Sequence, residues 1–122
     1  MILADTSVWI DYLRSGDALL SEQLSQANLL MHSMILGELA MGNFKNRQLL
    51  LQRWGGLPLI QTATDTQVLS LIDTHQLMGK GIGWIDVHLL TAVSLADRVQ
   101  LWTRDKRLKT IAETLNLAAQ LS

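Results

Sequence analysis

Four carboxylates in this chain stand where ordinary surface acids do not. Asp5 closes the apolar run MILAD at the N-terminus, and Asp105 follows the run VQLW after two intervening residues. Glu38 lies within SMILGELAMG and is the only acid between Glu22 and Asp65. Asp86 opens the apolar stretch IDVHLLTAVSLA and is the only acid between Asp73 and Asp97. Gathered into one pocket, such groups repel one another, and a hard cation with oxygen ligands, Mg²⁺ or Mn²⁺, offsets that repulsion. An ion held this way activates water and stabilises charge on a phosphoryl group during in-line displacement. Setting the four aside leaves seven acids against ten basic residues, a surface suited to a phosphate-bearing polymer.

Each acid also has a purely structural reading. Asp5 and Asp105 can cap the helices that follow them. Asp86 can complement a helix dipole. Glu38 has Met34, Ile35 and Met41 at helical neighbour positions, which predicts an apolar surround, although it can equally face water at a helix edge.

The elements that must position these acids alternate along the chain. Met1–Asp5 reads as a short strand that runs into the helix-start signal DTS, followed by a helical turn over Val8–Leu13. Asp17–Gln26 reads as a helix with Leu19, Leu20 and Leu24 inward, and Asn28–His32 as a second strand. Ser33 is placed to cap a helix through Met41, which Gly42 stops. Gln48–Trp54 is helical until GGLP breaks it, and Leu59–Ile60 is a candidate strand. Thr64–Met78 reads as a helix with Val68, Leu69, Leu71 and Ile72 apolar. After the loop GKGIGW come a helix over Ile85–Ala96, a strand over Val99–Trp102 and a helix over Asp105–Leu115. This alternation predicts an α/β fold around a mostly parallel sheet flanked by helices. Ligands in such folds collect outside the carboxyl ends of the strands, where Asp5 and Asp105 fall.

Composition sets the outer limits. The 122 residues suit a single domain over 1–122, with 48% hydrophobic and 17% charged residues and one proline. Cysteine is absent, so disulfides and thiolate metal sites are excluded and a reducing cytoplasm is the expected compartment. The N-terminal apolar run is broken by Asp5 and Asp11 and lacks an early positive side chain, which does not fit a signal peptide. No uncharged apolar stretch is long enough for a membrane span, so no membrane partner is expected.

The segments MILADTSVWIDYL, ILGELAMG, GKGIGWIDVHLLTAV and LWTRDKRL, in that order and spacing, resemble the PIN-domain ribonucleases, specifically the VapC-type toxins of bacterial toxin–antitoxin pairs. The resemblance extends over nearly the whole chain. It implies a PIN-like three-layer fold and endonucleolytic cleavage of RNA dependent on Mg²⁺ or Mn²⁺, with Asp5, Glu38, Asp86 and Asp105 as the catalytic and metal-binding acids. It also implies a homodimer and a cognate VapB-type antitoxin. Thr6, Ser7 and Thr103, beside the acids, are supporting candidates. Lys80, Arg104, Lys106, Arg107 and Lys109 are candidate phosphate contacts, and Trp84 is the best placed of the four tryptophans to stack on a base.

Other residues carry less. His32, His75 and His88 lack metal-ligand spacing, Trp9 and Trp102 read as core or dimer packing, and GKGIGW lacks the Walker pattern. Two other functions fit parts of the sequence. A noncatalytic RNA-binding or regulatory PIN module would retain the fold without the chemistry. A phosphoacceptor signalling domain also has acids at strand ends but requires an acidic pair after the first strand, where this chain has Thr6 and Ser7.

Overall fold

The computed structural model describes residues 1–122. Three short parallel strands form the sheet: β1 (Ile2–Ala4), β2 (Leu29–Leu30) and β3 (Gln100–Trp102), in the order β2-β1-β3. Ile2 pairs with Leu29 on one side and Gln100 on the other, and Ala4 aligns with Trp102. Single parallel bridges extend both edges, Met31 to Leu59 and Leu101 to Ala118. Leu3, Ala4, Leu29, Leu101 and Trp102 are buried, as expected of parallel strands covered by helices.

Seven helices complete the α/β arrangement, in agreement with the PIN-like expectation. They are α1 (Thr6–Ser15), α2 (Ala18–Ser25), α3 (Ser33–Ala40), α4 (Arg47–Gly55), α5 (Asp65–His75), α6 (Trp84–Leu95) and α7 (Lys106–Thr114). Helix α6 carries the core: every residue from Val87 to Val93 is buried. A helix buried on most of its sides leaves little room for charge along its length, and Asp86 in its first turn is its sole acid. Trp9 on α1 packs against Trp54 on α4 at 5.0 Å between ring centroids, and Phe44 stacks on Trp54 at 5.8 Å. Trp9 and Trp102 are fully buried, as core residues should be.

Several expected boundaries moved for identifiable reasons. Helix α1 begins at Thr6, directly on its Asp5 cap, and is longer than the turn expected over Val8–Leu13. Leu59–Ile60 contributes only a bridge, and Leu59 remains largely exposed. Of the apolar residues noted on the helix over Thr64–Met78, Val68 is buried in a small cluster with Val87, whereas Leu69 is exposed. Residues beyond Leu115, for which no strand was expected, hydrogen-bond β3 through the Leu117 carbonyl and the Ala119 N–H.

The cap of α3 is His32 rather than Ser33. Its Nδ1 accepts the Met34 N–H at 3.0 Å, so the neutral ring must carry its proton on Nε2, an atom buried without a partner. Burial, followed by the nearby His88, holds the imidazole below its ordinary value of 6.5. A depressed pKa on a base adds stability that is complete above the unfolded value and is lost as pH falls through the folded one. The melting temperature is therefore expected to decline as pH drops below about 6.5, limited by 1.36 kcal/mol per unit for one proton. His32→Asn keeps a cap acceptor and should flatten that decline in melts recorded across the range. An unchanged slope would show that another group is responsible.

Candidate active site

Asp5 sits in the turn between β1 and α1 and is only 5% exposed. Its backbone N–H continues the sheet pairing to the Trp102 carbonyl at 2.9 Å. Its Oδ1 accepts the Ser7 N–H at 3.0 Å and the Ser7 hydroxyl, capping α1. Its Oδ2 accepts the Thr103 hydroxyl. Both hydroxyls are themselves acceptors: Thr103 Oγ1 takes the Asp105 N–H at 3.1 Å, and Ser7 Oγ takes the Arg104 N–H at 3.0 Å. Two arms thus fasten the β3–α7 turn to the β1–α1 turn across the carboxyl ends of neighbouring parallel strands. Desolvation raises the Asp5 carboxyl above its usual value of 3.8, and the hydrogen bonds from Ser7, Thr103 and Val8 work against that rise. No lysine or arginine pairs with Asp5.

The other acids are held in different ways. Glu38 on α3 accepts the Thr6 hydroxyl at 2.7 Å, which joins it to the residue after Asp5. The apolar surround expected for Glu38 is not formed: Ile35 and Leu39 turn inward, while Glu38 is exposed and Met41 is 88% exposed. Asp105 Oδ1 accepts the Leu108 N–H at 3.0 Å and caps α7, leaving its carboxylate at the surface. Asp86 Oδ2 accepts the Gly83 N–H at 3.1 Å and makes no hydrogen bond to the other three acids. No three His, Asp or Glu side chains lie close enough together to enclose an ion by themselves. The capping reading of Asp5 holds, and the carboxylate that caps α1 is the buried one of the four.

No protein-family model matches the chain. Pairwise similarity is decisive instead. Over 109 residues the chain is 43% identical to ribonuclease VapC32 of Mycobacterium tuberculosis, in strain CDC 1551 / Oshkosh and in strain H37Rv. The alignment covers 89% of this chain and 88% of the relative. The chain belongs to the VapC family of PIN-domain ribonucleases.

Within this VapC chain, the candidate phosphate contacts separate into groups. Arg104 is engaged: Nη1 donates to Asp11 Oδ2 at 2.9 Å and to Asp17 Oδ2 at 2.5 Å, and Nε donates to the Ser122 carbonyl at 2.9 Å. It also lies 5.2 Å over the Trp102 ring. This guanidinium is a strut between α1, α2 and the C-terminus, which corrects its expected place on a phosphate surface. Asp11 and Asp17 were not singled out in the sequence, and no spacing rule could have found partners 93 and 87 positions away. Lys109 lines a cavity with Glu113 and residues 118–122, apart from Lys80, Lys106 and Arg107, which line another. Trp84 is 43% exposed with its ring edge-on to His88 at 4.9 Å. His88 is buried and bonds Asp65 Oδ1 through Nε2 at 3.2 Å, and neither it nor His32 joins the acid network.

Proposed function

We propose that this chain is a Mg²⁺- or Mn²⁺-dependent endoribonuclease acting as the toxin of a toxin–antitoxin pair. The observation that carries the proposal is Asp5, a buried carboxylate without a cationic partner, ringed by hydroxyls at the strand ends of a chain kin to a ribonuclease. The donor set fits a hard divalent ion. Mg²⁺ keeps several waters and is bound by one or two carboxylates together with substrate phosphate oxygens, so a closed protein cage is not required. Asp5 would hold it with Glu38, Asp86 or Asp105, whose side chains are exposed or half-exposed and each held by a single hydrogen-bond donor. The ion supplies Lewis acidity and a water of lowered pKa for attack on phosphorus.

The protein's own contribution is orientation. Ser7 and Thr103 fix the Asp5 carboxylate so that its charge points the same way before and after substrate arrives. Thr6 holds Glu38 toward the same turn. A VapB-type antitoxin covering this face and a homodimer, both implied by the family resemblance, belong to the same proposal.

Purified protein freed of bound partners is expected to cut total cellular RNA in Mg²⁺ or Mn²⁺. EDTA should stop the reaction and excess metal should restore it. Intact RNA under those conditions would remove the ribonuclease reading. The separated acids favour one alternative, a noncatalytic RNA-binding PIN module, and RNA bound without strand scission would support it.

A further inference from the structure

Lys80, Lys106 and Arg107 line one surface cavity of about 300 Å³ together with Thr110 and Ile111. No acid contributes to its wall, and none of the three cations has a salt-bridge partner. The ion pairs of the chain involve only His88 and Arg104. The cavity lies between the loop before α6 and the first turn of α7, the two helix starts that carry Asp86 and Asp105. A glycine lies close against one of these cations. Gly81 has φ +82°, and a Cβ there would come within 2.8 Å of Arg107 Cδ and still closer to the guanidinium. The Asp86 carboxylate holds the same loop from its other end through the Gly83 N–H.

We infer that this cavity is a phosphate subsite for the RNA backbone, formed by Lys80, Lys106 and Arg107 and shaped by Gly81, which steers a single strand past the acids. The inference rests on the ribonuclease reading above. Three unpaired cations without neighbouring acids attract a polyanion of any sequence, because phosphate contacts set affinity and position but do not read bases. Arg104 and Lys109 take no part. The subsite therefore accounts for a subset of the basic fringe after Thr103.

Binding of the full chain to a short fluorescein-labelled single-stranded RNA, followed by anisotropy in EDTA across a salt series, tests the subsite. Each lost phosphate contact lowers the slope of log affinity against log salt by about 0.7 for a single strand. Lys80→Ala with Arg107→Ala should lower it by about 1.4. Arg53→Ala, which removes a charge from the exposed part of α4, should leave it unchanged. Gly81→Ala should weaken binding in the same direction as Arg107→Ala, with native circular dichroism as the control for folding. Equal slopes in wild type and the double variant would overturn the subsite, and that is also the result expected if an acidic protein segment occupies the cavity. An equal loss from Arg53→Ala would overturn it too, by reducing the effect to net charge. Parallel cleavage in Mg²⁺ separates the two levels: cleavage with unmoved slopes rejects the subsite alone, whereas moved slopes without cleavage reject the ribonuclease reading alone.

Discussion

Replacing Asp5 by asparagine should reduce RNA cleavage by about 10²–10³-fold, the several kcal/mol of transition-state stabilisation that a metal site supplies. The same variant should be at least as stable as wild type at neutral pH. Burial raises the Asp5 carboxyl above 3.8 despite its hydroxyl donors. A raised carboxyl contributes stability below its unfolded value, and that contribution is lost as pH rises through the folded one. Ionised Asp5 is therefore a cost to folding at neutral pH, which asparagine removes. The cap survives, since the amide oxygen can accept from Ser7 as Oδ1 does. The amide nitrogen meets Thr103 Oγ1, whose hydroxyl can rotate to accept it. Kinetics on a defined RNA and thermal melts of both proteins decide the matter. A variant that melts well below wild type would show that Asp5 is a structural cap first, and retained cleavage would remove it from the reaction.

Arg104→Ala should lower folding stability by about 2–3 kcal/mol, the scale of hydrogen bonds to charged groups. The Asp17 partner carries most of this: its side chain is 12% exposed, against 46% for Asp11, whose pairing is screened by water. Arg104→Lys should recover only part of the loss, because one ammonium cannot span Asp11, Asp17 and the Ser122 carbonyl as the planar fork does. The hydrogen bond from Arg104 holds Asp17 below 3.8. A depressed carboxyl adds stability above its unfolded value that disappears as pH falls through the folded one. The gap between wild type and Arg104→Ala should accordingly hold above pH 3.8 and close below it. Urea titrations at several pH values read this directly, and a gap that does not vary with pH would assign the effect to packing on Trp102.

Much of the positioning frame was legible in the residues. The apolar runs MILA and VQLW became the adjacent strands β1 and β3, since parallel strands covered by helices bury most of their side chains. The largely apolar stretch after Asp86 became the central helix, buried from Val87 to Val93. DTS and Asp105 proved to be true caps, because capping is settled by atoms two or three residues apart. The cap at His32 escaped notice, as an imidazole acceptor is an unusual choice.

The sequence by itself determined the order of strands and helices, the four acids, and the chain's membership in the VapC family, since each depends on short spacings or on similarity along the chain. Only the tertiary structure decided how those acids are used at rest. It gave Asp5 two hydroxyls, tied Glu38 to Thr6, and left Asp86 and Asp105 capping their own helices. It likewise removed Arg104 from the phosphate surface by pairing it with Asp11 and Asp17. The physical reason is the same throughout: a charge is governed by whatever folding brings within hydrogen-bond reach, and partners some ninety residues apart leave no mark in local sequence.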